Sequence, residues 1–549
     1  MDTRRLFLFL IFFLSIFLLW DSWQRFQHPA PPVVAKDAVP QGQTAVVSGD
    51  SASTGVPAAT AQAPALPAQE AATTGQKIKV KTDWLYAEID TNGGSLRRLD
   101  FLRHHDTLDR SKPFSLLQQR DAHTYIAQAG LLGTDLPNHN TQFSAETNEY
   151  QIADGQDALV VRLSAATNGA EKINKIYTFH RSSYVIDVAF EIENTGAEPL
   201  SPFAYFQLVR DQVPPAEGSK FLPTYTGPAV YTDQEKFQKV HFSDIDKGKI
   251  AYPNKTNDGW VGMLQHYFVA AWFLNDKTPR EFYTTALKNG LYSAGMKIPV
   301  ATIAPGQTGT VSVPLYAGPA TSSLDNLTPG LGLTVDYGWL TILSTPLFWV
   351  LSFLQGWVQN WGIAIILLTI LIKLLFFPLS AASYRSMAKM RVVAPKLEKI
   401  KQQYGEDKER LHKARMELYQ TEKINPLGGC LPMIVQIPVF IALYWAILAS
   451  VELRYAPFFG WIQDLSAPDP YYILPLIMGA SMIIQSRLSP APPDPMQAKI
   501  MRTMPIVFSV VFFFFPAGLV LYSIVNNVLS IAQQWVITRR LENKGVAAS

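Results

Sequence analysis

The chain has 549 residues, 48% hydrophobic and only 17% charged, whereas soluble chains average nearer one quarter charged. That shortfall points to membrane segments, and a net charge of +3 excludes the global field of a nucleic-acid binder. A single cysteine, Cys430, excludes an intramolecular disulfide framework and any multi-cysteine metal site; it reads as a small buried residue.

Arg4 and Arg5 precede an uncharged apolar run, Leu6–Trp20. The residues that follow, Asp21, Trp23, Gln24, Arg25 and Phe26, are not the small-residue stretch of a signal cleavage site. Residues 1–27 therefore read as an uncleaved anchor helix whose arginines hold its start in the cytoplasm. The run is short for a hydrocarbon core ~30 Å thick, which puts Trp20 and Trp23 at the far interface. Residues 28–76 are dominated by Pro, Ala, Gln, Ser, Thr and Gly, a composition that reads as a flexible linker.

From residue 77 to 338 the pattern changes to strands. Trp84–Asp90, Ala158–Ser164 and Tyr184–Glu193 alternate apolar with polar residues, and Asn92-Gly93-Gly94, Asn168-Gly169 and Asn194-Thr195-Gly196 are turn signals between them. The expectation is a large antiparallel β-sandwich lying in the periplasm. It carries little chemistry. His104 and His105 are adjacent and point to opposite faces of a strand; His123, His180, His241 and His266 are scattered, without an H-E-x-x-H or G-x-S-x-G element. Asp187, Glu191 and Glu193 share the solvent side of one strand. No enzyme is visible.

Tyr337–Ile372 is uncharged and at 1.5 Å per residue would reach roughly 50 Å, too long for one straight crossing. It divides into an interfacial amphipathic helix, 339–356, and a second span, 357–379, with Pro346 and Gly356…Asn360-Trp361-Gly362 as places to bend. Residues 380–424 hold eleven Lys/Arg against six carboxylates. Met387, Met390, Ala394, Leu397, Ile400 and Tyr404 form one helical stripe, Gly405 ends it, and Leu411, Ala414 and Leu418 begin another. Two short antiparallel helices in the cytoplasm fit, with Pro395 as a kink or a new helix start; topology alone would also account for the charge.

Three apolar blocks remain: a third span, 427–450; a periplasmic loop, 451–470; a fourth span, 471–486; and a cytoplasmic loop, 487–502, before the last block. Thr503–Thr538 is again too long for one crossing and holds Pro516-Ala517-Gly518 near its centre. A hairpin of spans 503–515 and 518–538 returns the tail, 539–549 with Arg539, Arg540 and Lys544, to the cytoplasm, as the positive-inside rule asks. The expected protein is a polytopic α-helical membrane protein with six transmembrane helices, both termini inside, and a large periplasmic all-β sandwich.

One residue does not belong. Lys373 lies in Leu371-Ile372-Lys373-Leu374-Leu375, where a charge costs ~2.5–3.5 kcal/mol unless it faces a protein or watery interior. Snorkelling to the cytoplasmic edge is the plain alternative. Thr369 extends a polar stripe one turn earlier. Gln436, Gln485, Ser509, Tyr522, Ser523, Asn526 and Asn527 supply polar groups on the other spans, enough for a wet cavity though any one could merely tie helices together. No G-x-x-x-x-G-K-[ST] or G-x-G-x-x-G element accompanies it, so no nucleotide or other cofactor is expected.

Tyr384–Met390 (YRSMAKM), Asn425–Pro432 (NPLGGCLP), Ser450–Arg454 (SVELR), Asp469–Pro475 (DPYYILP) and Phe515–Tyr522 (FPAGLVLY) closely resemble the YidC insertase family of Gram-negative bacteria. The resemblance covers essentially the whole chain. It implies a five-helix insertase core shared with mitochondrial and chloroplast insertases, and a polar groove open to cytoplasm and lipid and closed toward the periplasm. One basic residue lies in that groove: here Lys373 stands where the family often has Arg, and Ser523 where an aromatic is often found. The groove set is then Lys373, Thr369, Gln436, Ser509, Tyr522 and Ser523. The cytoplasmic hairpin, with Arg385, Lys389, Arg391, Lys396, Lys399 and Lys401, would meet the ribosome or targeting factors. Implied partners are nascent and small membrane-protein substrates, the Sec translocon and membrane lipids, with no specific nucleic acid. The periplasmic domain looks like the family's β-supersandwich. Two other readings stay open: a secondary transporter using Lys373, against which no inverted repeat is apparent, and a glycan-binding sandwich on a membrane anchor.

Overall fold

The computed structural model describes residues 64–68, 75–107, 109–120, 123–166, 171–215, 225–249, 252–405, 407–422, 431–488 and 495–546. The anchor helix, most of the linker, the Asn168-Gly169 turn, Cys430 and most of the NPLGGCLP motif lie outside the described residues. The chain divides into two compact units. One holds most of the strand residues; the other is built from Gly318 onward together with the short segments Pro214–Thr226 and Leu264–Val269.

Nineteen strands are described: β1 (Lys77–Lys81), β2 (Leu85–Asp90), β3 (Ser95–His105), β4 (Pro113–Arg120), β5 (His123–Leu132), β6 (Phe143–Ala145), β7 (Glu149–Gln151), β8 (Ala158–Ala165), β9 (Glu171–His180), β10 (Val185–Asn194), β11 (Phe203–Asp211), β12 (Gly227–Thr232), β13 (Lys236–Lys239), β14 (Lys255–Thr256), β15 (Trp260–Gln265), β16 (Phe268–Phe273), β17 (Arg280–Ala286), β18 (Leu291–Pro299) and β19 (Thr308–Pro319). They form a ten-stranded sheet, β14-β17-β18-β11-β5-β4-β3-β2-β1-β7, and a nine-stranded sheet, β13-β12-β15-β16-β19-β10-β9-β8-β6. β10 pairs antiparallel with both β9 and β19, and β11 with both β5 and β18, whereas β1 and β7 run parallel. On β10 the alternation works as expected: Ile186, Val188, Phe190 and Ile192 are buried, and Asp187, Glu191 and Glu193 face the wetter side. Strands β5 and β11 break the rule, being buried almost throughout on both faces.

The turn from β2 to β3 needs glycine. Gly93 has φ +77°, and a Cβ there would meet the His139 carbonyl at 2.2 Å. Three of the strand histidines are tied to polar side chains. His104 meets the Tyr184 hydroxyl at 3.1 Å, His123 the Asp211 carboxylate at 2.8 Å, and His180 that of Asp187 at 2.7 Å. Among the described residues no cluster of three or more His, Cys, Asp or Glu could hold a metal.

The helical unit contains α1 (Thr341–Val358), α2 (Trp361–Leu375), α3 (Phe377–Tyr404), α4 (Lys408–Thr421), α5 (Leu431–Ala449), α6 (Ile473–Leu488), α7 (Pro495–Val511) and α8 (Ala517–Val546). Several boundaries differ from the sequence expectation for physical reasons. Helix α1 runs on to Val358 and closes with Gln359 at φ +52°; Asn360 then caps α2, its Oδ1 accepting the Ile363 N–H at 3.0 Å. The expected span 357–379 is not one helix. It breaks at Phe376 and turns by 66° into α3, because Pro378 lacks an N–H and its ring crowds the carbonyl four residues back. The first helix of the basic hairpin is accordingly not short: α3 has 28 residues and includes Pro395. Helix α7 starts at Pro495, inside the expected cytoplasmic loop. Helix α8 continues past Arg540 to Val546. Between them lie a tight turn, Phe512–Phe514, and then Phe515-Pro516.

Val393, Leu397 and Tyr419 form the buried contact between α3 and α4, with Met390 and Leu418 against it. Elsewhere the unit exposes large apolar side chains that water would not tolerate on a soluble fold, among them Leu374, Leu476, Ile484, Ile506, Phe514 and Val528. Helices α1 and α8 are each long and apolar enough to cross a membrane, and α2 with the start of α3 qualifies as a bent pair.

Candidate functional site

Polar side chains collect on one face of α8. Ser523, Asn527, Ser530 and Gln534, spaced by four, three and four residues, are all buried. Helix α2 lies alongside α8 and parallel to it: Ile365 approaches Gly518 near their starts, and Lys373 reaches Ser530 further on. The Lys373 ammonium, on a residue only 7% exposed, donates to the Ser530 hydroxyl at 2.7 Å. Ser530 in turn donates to the Asn526 carbonyl at 2.7 Å, and the Tyr384 hydroxyl of α3 also approaches it. An ammonium has three donors, and Lys373 makes one hydrogen bond and no ion pair among the described residues. Its charge is buried and, among the described residues, meets no carboxylate.

The rest of the seam is largely self-satisfied. Thr369 and Ser523 return their hydroxyls to the carbonyls of Ile365 (2.7 Å) and Leu519 (2.9 Å) on their own helices. Asn527 crosses to α6, donating to Ser481 Oγ at 3.1 Å and meeting the Met478 sulfur at 3.3 Å. Gln534 donates to the Leu488 carbonyl at 2.9 Å.

The six expected groove residues therefore do not converge on one point. Lys373, Thr369 and Ser523 lie on the two parallel helices. Tyr522 is buried with its ring 6.5 Å from Phe440 of α5. Ser509 ties α7 to the Pro475 carbonyl of α6 at 3.1 Å, and the absence of a side chain at Gly479 permits that approach. Gln436 is half-buried on α5 and makes no hydrogen bond among the described residues. Sequence reading missed Ser530, the direct partner of Lys373, and Gln534; the heptad-like repeat from Ser523 was the signal that could have found them.

One end of the bundle is tied shut. Asp469, buried, accepts from Trp461 Nε1 (3.1 Å) and the backbone N–H groups of Tyr471 (3.0 Å) and Leu474 (2.7 Å). The loop before it receives the start of α8: Ala517 N–H donates to Ala467 O at 2.8 Å and Gly518 N–H to Leu465 O at 2.9 Å. On the same loop the Phe458 carbonyl accepts from Asn360 at 3.0 Å, and a Cβ on Gly362 would strike the Phe458 ring at 2.0 Å. In this loop burial pushes the Glu452 carboxyl up to about 6.

On the hairpin, Arg385, Lys389, Lys399 and Lys401 stand exposed along α3. Lys396 is tied to Glu422 at 2.6 Å, bracing α3 against the end of α4. Arg391 lies on the same helix.

Apolar helices around a polar seam with a buried lysine, in one chain with an all-β sandwich, define a polytopic helical membrane protein bearing a large extramembrane domain. Residues 77–350 match the family described as YidC periplasmic domain, and residues 353–544 that described as 60Kd inner membrane protein. Relatives named membrane protein insertase YidC include that of Nitrosospira multiformis, 54% identical over 100% of this chain and 99% of its own. Those of Methylobacillus flagellatus (54%, covering 99% and 98%) and Cupriavidus necator (50%, covering 100% and 99%) are similar over the same extent. A crystal structure of an active YidC insertase is matched over 84% of this chain and 92% of that one, at 18% identity and a TM-score of 0.40. The chain belongs to the YidC membrane protein insertase family.

Proposed function

We propose that this protein inserts and folds integral membrane proteins in the inner membrane, using Lys373 as a fixed positive charge in a hydrated groove between α2 and α8. The single observation that carries the reading is the buried lysine held by a hydroxyl and, among the described residues, by no carboxylate. A substrate span of ~20 apolar residues at −0.3 to −0.6 kcal/mol each gains several kcal/mol on reaching lipid. The step is downhill once the polar flank has crossed. A wet groove shortens the dry path for that flank, and a positive charge holds an acidic one until the membrane potential draws it outward. No bond is made or broken, so the reading is of an insertase and chaperone and not of an enzyme.

In this reading the tied end at Asp469 and Pro516 faces the periplasm, and the Lys373 end opens to cytoplasm and lipid. Six spans leave both termini inside. Helix α1, whose Trp349, Phe353 and Trp357 form an exposed aromatic row, lies at the periplasmic interface. The exposed basic face of α3 and α4 recruits substrate, ribosome or targeting factors by charge, and the Sec translocon and membrane lipids are working partners. A reporter after Ser549 should read cytoplasmic; a periplasmic signal would overturn this topology.

The function is tested with one acidic-flanked client and three variants. Lys373→Arg should keep insertion within about threefold, because charge and reach persist. Lys373→Ala should lower it at least tenfold, and Lys373→Glu further. A snorkelling lysine would leave Lys373→Ala near normal. A proton carrier would make Lys373→Arg inactive, since guanidinium does not deprotonate.

A further inference from the structure

Three residues stand side by side across the first sheet. Lys297 of β18 lies opposite Tyr205 of β11, and Tyr205 opposite Gly130 of β5. Above Gly130 sits the Asn138–Asn140 loop. A Cβ on Gly130 would meet the Tyr205 hydroxyl at 2.6 Å and Asn138 Cα at 2.8 Å, and Tyr205 accepts the His139 N–H at 3.0 Å. The row ends in two donors that hold a piece of the linker. The Lys297 ammonium donates to the Pro64 carbonyl at 3.2 Å, and the Asn140 amide to the Ala68 carbonyl at 3.0 Å. Lys297 is aimed by Glu281 of β17 at 3.5 Å and lies 5.8 Å from the centre of the Tyr283 ring.

The spacing suits an extended chain. Lys297 and the loop over Gly130 are two strand spacings apart, about 10 Å. Four residue steps of polyproline helix cover about 12 Å. Pro64 and Pro67 fix φ near −65° and, three residues apart, share one face of such a helix. Leu66 and Pro67 are the half-buried pair, while Pro64, Ala65 and Ala68 are exposed. Both hydrogen bonds go to carbonyls of the bound segment, which proline retains, and Leu66 and Pro67 add partly buried side chains.

We propose that Lys297 and Asn140, at the two ends of this row, form a receptor site for an extended, proline-containing peptide, filled in this chain by its own Pro64–Ala68. A linker segment bound in cis acts at high effective concentration. An extended Pro-x-x-Pro stretch of another exported or membrane protein then binds only by displacing it, and the site links arrival of such a partner to release of the linker.

The test uses the full chain in detergent micelles and a fluorescently labelled peptide of its residues 61–70. Replacing Pro64, Leu66 and Pro67 together by Gly should empty the site and tighten peptide binding, read by anisotropy, at least tenfold over the unaltered chain. Adding Lys297→Ala and Asn140→Ala should remove that gain; should Lys297→Ala unfold the sandwich, Asn140→Ala alone should reduce it at least threefold. No gain on emptying the site, or a gain that survives loss of both donors, overturns the proposal.

Discussion

The two units each bury a lysine, and they treat it in opposite ways. In the sandwich, Lys175 on β9 is 0% exposed and donates to two carbonyls, Ala129 at 2.9 Å and Gly93 at 3.2 Å. The rings of Tyr177 and Phe190 lie 5.5 Å from its nitrogen and that of Phe143 5.9 Å. Two carbonyls and three rings surround it, and the ammonium of β9 reaches Ala129 of β5 in the other sheet. Lys373 in the helical unit has, among the described residues, a single hydroxyl and no ring or carbonyl cage. Burial alone says nothing about function. Unspent hydrogen-bonding capacity does, because it is what an incoming group can use.

The sharpest way to break that contrast is to truncate both. Lys175→Ala leaves a cavity and two buried carbonyls without donors, and should cost the sandwich about 3–5 kcal/mol, seen as an early thermal transition. Lys373→Ala should leave the melting temperature nearly unchanged and remove insertion. If Lys175→Ala melts like the unaltered protein, the cage is not structural.

The tied end of the bundle ranks next. Asp469→Ala removes three hydrogen bonds, one of them at the first turn of α6, and should cost about 2–3 kcal/mol. Insertion should fall only as far as the folded fraction does. A loss of insertion with full stability would instead place Asp469 in the groove's working cycle.

The pH response separates the two lysines again. Burial pushes the Lys175 ammonium down to about 7, against about 10.4 in an unfolded chain. Between those values the unfolded state binds more protons than the folded one, so stability rises with pH there and is lost as pH falls toward 7. The slope should approach about 1.4 kcal/mol per pH unit in mid-window. Lys175→Met should flatten the sandwich's unfolding profile from pH 7 to 10, measured by urea titration; an unchanged slope would assign the effect to another group.

How much of this was legible follows from what each feature depends on. The alternation of β10 was readable because burial there follows one strand's own period. Burial of β5 and β11 on both faces was not, since no alternation within a strand announces cover from elsewhere in the chain. Lys373 stood out because its neighbours are all apolar. Its partner Ser530 did not, because a serine on a membrane helix ordinarily bonds its own backbone, as Ser530 also does. The 66° turn at Phe376 was hidden because counting apolar residues measures length and is blind to the direction in which a proline near the end of the run, Pro378, turns the chain. Asp469 was invisible for a third reason: two of its three partners are backbone N–H groups, which every sequence has.

The smallest effect bears most directly on how Lys373 acts. Ser530→Ala deletes its one hydrogen bond and leaves the charge, the depth and the neighbouring helix in place. If the groove needs a positive charge and little else, the ammonium simply takes water or the substrate's own carboxylate, and insertion should change less than threefold, about 0.6 kcal/mol or less at the barrier. If the groove needs an ammonium held at one point, Ser530→Ala should approach the defect of Lys373→Ala, because a flexible four-carbon stem with nothing to hold it samples many positions. Ser530→Thr keeps the hydroxyl and controls for packing on α8. Insertion of the acidic-flanked client across Ser530→Ala, Ser530→Thr and Lys373→Arg decides between them. A charge-only groove tolerates all three, whereas a geometric one tolerates Ser530→Thr alone.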